Sequence, residues 1–337
     1  MNASIPRPAS PDLAHPDGWF AVCFSSELAP GALVSRTLFD REVVVYRTEA
    51  GEVAVVDAHC PHMGAHFGRG GRVEGERLRC PFHGFRFAPD GECTDTPYQT
   101  KIPPKCRNTA WPTIERDGIV LVWHHHAGAA PSFELPELDL RDWAPLETRR
   151  FSVATHPQET SENSVDVGHF SEVHGYEAVA LIEPLRIEGP YLTLTYSMAR
   201  SMLGQALATE FRVHVHGLGF SHVEASVPAL GFEFRYWVMC TPTADGRSEL
   251  RLAGSARLHP RLARISRGLA RFVARVVAKI GFHALCHDAG QDFEIWENKR
   301  YIDPPALARG DGPVGAYRKW CRQFYPRPNL VEIRKAG

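Results

Sequence analysis

The chain has 337 residues, 44% of them hydrophobic and 23% charged, with 38 basic against 39 acidic side chains. That length allows two domains, each able to bury its own core, and the ordinary apolar fraction excludes a disordered tail protein. A formal net charge of −1 argues against a nucleic-acid or polyanion binder, which would carry a basic excess. The opening stretch MNASIPRPASPDLAHPDG lacks the apolar segment of a secretory signal. No uncharged apolar run reaches the roughly 18 residues of a membrane span. The 8 cysteines are scattered rather than framework-spaced. A cytoplasmic chain without disulfides is therefore expected.

Residues 18–128 read as an all-β domain. Short strands at Glu42–Tyr46, Val53–Asp57, Arg77–Cys80 and Ile119–Trp123 are separated by turn signals such as Pro89-Asp90-Gly91 and Asp117-Gly118. The stretch His126–Pro145, rich in proline, glycine and alanine, marks a connector, set at residues 129–150. Residues 151–337 form the second domain. A mixed polar pattern over Phe151–Glu177 has room for a helix, and strands follow at Leu192–Met198, Glu210–His216, Gly219–Val227 and Gly231–Cys240. A helical section runs from about Leu258 to Tyr301. The class is α+β, with a sheet and sequence-segregated helices in the second half.

Residues 59–84 carry the first constellation, HCPHMGAHFGRGGRVEGERLRCPFHG. Cys60 and His62 form one pair, Cys80 and His83 the other. Each half offers one thiolate and one imidazole, whereas a structural zinc site more often keeps like ligands together. An iron–sulfur cluster with cysteines on one iron and histidines on the other needs one of each from two loops. Gly64, Gly68, Gly70, Gly71 and Gly84 permit the tight backbone. His59 and His66 flank the motif but fit its spacing less well.

The second constellation is ENSVDVGHFSEVHG, residues 162–175. On a helix Asp166 and His169 share a face, and His174 joins His169 only if the helix loosens or ends. Two histidines and a distant carboxylate make the facial triad of non-haem Fe(II), which leaves positions open for O2. In HDAGQDFEIWENKR, the residue chemistry alone leaves Asp288, Asp292, Glu294 and Glu297 open as the carboxylate.

The first stretch resembles the Rieske [2Fe–2S] motif, Cys-x-His…Cys-x2-His. Ala65 and Phe82 stand where the respiratory Rieske proteins carry a further cysteine pair, so the lower-potential type of ferredoxins and oxygenases is the better match. Together, the segments from Gly18 to Tyr325 are similar to the oxygenase component of the Rieske non-haem iron oxygenases. That resemblance implies a helix-grip (START-like) catalytic domain after the Rieske domain, and a mononuclear Fe(II) besides the [2Fe–2S] cluster. It maps Asn-x2-Asp-x2-His-x4-His onto Asn163, Asp166, His169 and His174, and the third ligand onto Asp292. It implies a homotrimer in which Asp166 bridges the two centres across the subunit interface. Electrons come from NAD(P)H through a separate reductase or ferredoxin, since the chain has no GxGxxG signature.

The stretches CTDTPYQTKIP, WPTIERDGIVLVWH and QDFEIWENKRYIDPPALARGDGPVGAYRKWCRQFY are similar to the steroid-directed members, the 3-ketosteroid 9α-hydroxylase oxygenases and sterol 7-desaturases. Hydroxylation or desaturation of a steroid-like substrate by O2 is the implied reaction. The alternatives are ring hydroxylation or O-demethylation of another hydrophobic compound, and a non-catalytic electron carrier. Animal members carry an N-terminal membrane anchor, which is not evident here. Phe220, Phe232, Phe234 and Trp237 are candidates for an apolar pocket or for sheet core. His214 and His216 read as satisfied structural histidines, with contact to a polar end of the substrate as the alternative, and His283 and His287 read as structural. His124–His126 are placed at an exposed strand end. Between Leu258 and Ile280 an amphipathic helix sets Arg264, Arg267, Arg271 and Arg275 opposite Ile265, Leu269, Phe272, Val273 and Val276. The arginine face reads as solvated, with contact to a membrane surface or an acidic reductase as the alternative.

Overall fold

The computed structural model describes residues 14–98, 101–202, 205–259 and 267–326. Arg264, Ile265 and the last residues of the expected catalytic domain lie outside them. The first half is built of short antiparallel strands: β1 (Gly18–Phe24), β2 (Leu33–Leu38), β3 (Arg41–Arg47), β4 (Val53–Asp57), β5 (Arg72–Glu74), β6 (Arg77–Arg79), β7 (Arg86–Phe87), β8 (Cys93–Asp95), β9 (Ala110–Trp111), β10 (Thr113–Arg116) and β11 (Ile119–His124). They form three sheets, ordered β1-β11-β10, β2-β3-β4-β9 and β5-β6-β7-β8. Val43, Val45, Val55 and Val122 fill the core between the first two, and Phe67, Leu78, Phe85 and Phe87 pack beneath the third.

The second half follows: β12 (Glu147–Val153), α1 (Pro157–Glu162), α2 (His169–Glu172), β13 (Glu177–Glu188), β14 (Tyr191–Met202), β15 (Gln205–His216), β16 (Phe220–Val227), β17 (Phe232–Pro242), β18 (Ser248–Leu258), α3 (Arg267–Asn298) and α4 (Val314–Cys321). The seven long strands make one antiparallel sheet, ordered β12-β18-β17-β16-β15-β14-β13, against which α3 lies. This is the helix-grip arrangement expected. Strand β12 starts inside the stretch read as connector, and β18 occupies residues just before the helical section.

Periodicity alone would turn the larger apolar residues of α3 toward the sheet. Instead Ala274, Ala278, Phe282 and Cys286 are buried, while Phe272, Val276 and Ile280 are exposed. Close approach is the reason. A Cβ on Gly281 would lie 2.5 Å from the Phe234 ring, so small residues let the helix settle on the sheet.

The two domains share a core in which Trp19, Ala21 and Phe24 meet Trp237, Met239 and Ala253. A β-bulge in β1 leaves carbonyls unpaired by its neighbour strand. Arg251, 1% exposed, donates to the carbonyls of Ala21 (3.0 Å) and Val22 and pairs with Glu249. An isolated buried guanidinium would be prohibitive; these partners make it tolerable.

The structure decides one open alternative and corrects one expectation. Strand pairing puts Phe220 and Trp237 on the sheet face turned away from α3, in the interdomain core. They line no pocket beside the α3 carboxylates; Phe234 does face α3. His214 and His216 share that outer face with His222, their rings stacked 4.5 and 5.2 Å from it. His216 Nε2 meets His222 Nδ1 at 3.3 Å, yet His214 Nε2 and His216 Nδ1 have no hydrogen-bond partner, so the pair is only partly satisfied.

Candidate functional site: two metal constellations

The two Cys/His loops are structural copies. In the first, Cys60 N–H donates to the Ala65 carbonyl (2.9 Å) and Gly64 N–H to the Cys60 carbonyl (2.9 Å). In the second, Cys80 N–H donates to Phe85 (2.8 Å) and Gly84 N–H to Cys80 (3.1 Å). Gly64 and Gly84 close the loops at φ of 75° and 70°, a region that strains any side chain. The tips meet with the His62 and His83 rings 4.8 Å apart, and His62 stacked on Phe85 at 4.3 Å.

The donor set fits a Rieske cluster. Nδ1 of His62 and of His83 are buried without a hydrogen-bond partner, which is costly unless a metal takes the lone pair. Burial pushes the Cys60 thiol up to about 12, opposed by the His62 backbone N–H and reinforced by adjoining Cys80. A cation in place of the Cys60 proton offsets the burial that opposes its thiolate. His59 and His66 turn instead to Glu42, each 3.8 Å from its carboxylate.

The second constellation is assembled around a break in the chain. Helix α1 is polar, PQETSE, and wholly buried. Its groups are met by others: Arg318 donates to Glu162 (2.6 and 2.8 Å), Tyr317 to the Gln158 carbonyl (2.7 Å), and Gln158 to Tyr301 (2.9 Å). The chain leaves α1 through Asn163, and Asp166 precedes α2. Asp166 and His169 therefore do not share a helix face; Asp166 accepts from the His169 backbone N–H (3.4 Å) at the start of α2. The loop holding Gly312 packs against this corner so closely that a Cβ there would fall 2.4 Å from the Val165 carbonyl.

Because α2 ends at Glu172, His174 swings back toward His169, ring centroids 5.1 Å apart. Asp292 arrives from α3, its carboxylate 3.6 Å from His174 Nε2. Ligand atoms of His169, His174 and Asp292 all lie within 4.8 Å of one another. Burial raises the Asp292 carboxyl to about 6, with His174 and the Asn163 side chain opposing. Burial also lowers His169 to about 4, keeping it neutral and able to ligate.

The second nitrogen of each imidazole is occupied. His169 Nδ1 faces the Asp166 carbonyl, and His174 Nδ1 faces Gln291 Oε1 at 2.9 Å, so both rings direct Nε2 inward. Sequence reading missed Gln291, whose sole signal was its place directly before Asp292. It also missed Arg200, which donates to the His174 carbonyl (2.9 Å) and to Asp288 (2.9 Å) and covers the Tyr176 ring at 4.2 Å. Tyr176 donates to Asp288 (2.8 Å) and Ala154 N–H donates to Glu297 (3.1 Å), while Glu294 is exposed. Of the four carboxylates left open by residue chemistry, Asp292 alone reaches the histidines.

Away from these sites, His125 and His126 converge on Asp17 at the end of β11, while His124 stacks on Phe39 at 4.0 Å. His283 and His287 are exposed.

A buried three-ligand site beside an all-β domain with a Cys2His2 loop pair defines an iron-dependent oxidoreductase. Residues 18–108 match the Rieske [2Fe–2S] domain and residues 122–325 the 3-ketosteroid 9alpha-hydroxylase C-terminal domain. The chain belongs to the Rieske non-haem iron oxygenases, as an oxygenase component with a C-terminal domain of the 3-ketosteroid 9α-hydroxylase family. Its cofactors are a [2Fe–2S] cluster and a mononuclear iron, and it draws electrons from a separate protein. It is 31% identical to a probable 3-ketosteroid-9-alpha-monooxygenase oxygenase component of Rhodococcus rhodochrous, over 93% of this chain and 82% of that one. It is 29% identical to cholesterol 7-desaturase of Xenopus laevis, over 92% and 72%. The fold is shared with Pseudomonas putida CBB5 NdmA with caffeine, at TM-score 0.71 and 19% identity over 95% of this chain and 92% of that one. No helix among the described residues is long and apolar enough to cross a membrane.

Proposed function

We propose that this chain uses O2 to hydroxylate or desaturate a steroid or sterol-like substrate, with iron held by His169, His174 and Asp292 and the cluster held by Cys60, His62, Cys80 and His83. The observation that carries the reading is the convergence of those three ligands from elements more than a hundred residues apart, inside the domain that matches steroid-directed relatives. When bound, the two metal centres supply the reductive activation of O2.

The protein's own residues do the rest. Gln291 and the Asp166 carbonyl fix the imidazole tautomers, and Asn163 steadies the Asp292 carboxylate. Phe170, Tyr176, Tyr196 and Phe211 pack in a chain of ring contacts beside the histidines, an aromatic wall suited to a flat apolar substrate. The Asp166 side chain remains 35% exposed next to His169, placed to pass a proton between this site and a docked cluster. Met63 and Phe82, 64% and 61% exposed on the cluster loops, suit a surface that meets a partner. In this reading the assembly is a homotrimer, with the cluster of one protomer facing the iron site of the next, and an NAD(P)H-dependent reductase supplies the electrons.

The test is product analysis. The oxygenase, reconstituted with iron and a Rieske-oxygenase reductase, is incubated with sterols, 3-ketosteroids and methoxylated aromatics. A hydroxylated or dehydrogenated steroid with matching O2 consumption is expected. Turnover confined to the aromatic compounds overturns the substrate assignment.

A further inference from the structure

Helix α3 presents two different faces. Its inward face, Ala274, Ala278, Phe282 and Cys286, is buried against the sheet. Its outward face carries Phe272 (64% exposed), Val276 (43%) and Ile280 (65%), one every four residues and so in a single row. Phe272 and Ile280 are as exposed as Met63 and Phe82 at the cluster loops. The adjoining row, one residue back at each step, is Arg271, Arg275 and Lys279, all exposed. From Arg267 to His287 the helix has four cations, Arg267, Arg271, Arg275 and Lys279, and no carboxylate. Among the described residues, none forms an ion pair with Arg271, Arg275 or Lys279. A chain of net charge −1 thus concentrates positive charge beside an apolar row on one side of one helix.

Isolated exposed apolar side chains are ordinary, but three in register are not. A row of aromatic and branched side chains flanked by arginine and lysine matches a helix lying in the plane of a bilayer. Its apolar row sinks to the headgroup boundary and its cations engage anionic lipid. We propose that the outward face of α3 docks this oxygenase on an anionic lipid surface. Charge complementarity selects that occupant: the stretch from Arg267 to His287 carries cations and no acidic residue, the acidic residues of α3 beginning only at Asp288, and it suits a uniformly negative plane. The inference does not depend on the substrate, and its test contains none.

The experiment is sedimentation of the iron-loaded oxygenase with sterol-free vesicles, either of phosphatidylcholine alone or of phosphatidylcholine mixed with phosphatidylglycerol. Binding to the phosphatidylglycerol vesicles, weakened by added salt, is expected. The double variant Phe272→Ser/Ile280→Ser should lower that binding on the order of tenfold or more. Arg271→Glu/Arg275→Glu should lower it on anionic vesicles while leaving the weak phosphatidylcholine binding unchanged. Light scattering on each variant should report the wild-type mass. The proposal falls if wild-type protein does not sediment with anionic vesicles, or if Phe272→Ser/Ile280→Ser binds as wild type does. It also falls if that variant lowers the mass of the assembly, which assigns the face to a second copy of the chain.

Discussion

The two metal constellations differ in how the chain makes them, and the difference follows their tasks. The Cys/His pairs sit on two adjacent loops of similar hydrogen bonding, close in sequence, with exposed Met63 and Phe82 at their tips. The His/His/Asp group draws ligands from a helix break and from α3, and His174 and Asp292 are 9% and 6% exposed. Electrons must enter from another protein, so the first site belongs at the surface. Oxygen chemistry on an unactivated carbon requires water to be kept out, so the second is enclosed.

The largest effect that sharpens this contrast comes from Asp292→Ala. With iron held as proposed, loss of one of three ligands should reduce turnover by about a thousandfold or more. Iron analysis should fall from three per chain to two, with the cluster's visible spectrum unchanged. Loss of the spectrum as well would mean that the two sites are not independent.

Next is Asp166→Asn, expected to leave iron content and spectrum intact while slowing turnover by on the order of a hundredfold. Single-turnover kinetics with a pre-reduced cluster checks it; an unchanged rate removes Asp166 from the path between the centres. Gln291→Leu takes the acceptor from His174 Nδ1 and should weaken iron binding by about 10–100-fold. Competition with a chelator measures that, and the Rieske signal should not move.

The smallest effect concerns pH. Burial, followed by neighbouring His214, depresses His222 to about 2; burial and His214 depress His216 to about 4, and burial depresses His156 to about 4. Each stays neutral in the fold while the unfolded chain takes up a proton near the ordinary value of 6.5. Stability should be level above that pH and fall below it, by up to about 1.4 kcal/mol per pH unit for each histidine. Denaturation of His222→Gln between pH 7 and pH 5 should show a shallower decline than wild type. An equal decline would assign the acid sensitivity to other groups.

Much of the fold was legible because it rests on local signals. Short valine-rich runs marked strands of the first domain, and Asp117-Gly118 and Pro89-Asp90-Gly91 marked its turns. The cluster loops were legible for the same reason, since all four donors lie in one short stretch. Asp292 was reached by resemblance rather than by physics, because α3 carries four acidic residues near that turn and nothing local separates them. Phe220 and Trp237 were open between pocket and core, because a strand's alternation says which residues share a face but not what covers it. Arg200 and Gln291 carry no pattern; they matter only through what they touch.

By itself the sequence determined the ligand types, the order of the two domains and the presence of a cluster motif, because short-range spacing and turn chemistry are written along the chain. Only the tertiary structure decided which carboxylate meets His169 and His174, which sheet face receives α3, and that Phe272, Val276 and Ile280 turn outward. Those outcomes depend on how closely two surfaces approach. At that contact Gly281, Ala274 and Ala278, rather than Phe272, Val276 and Ile280, set the distance.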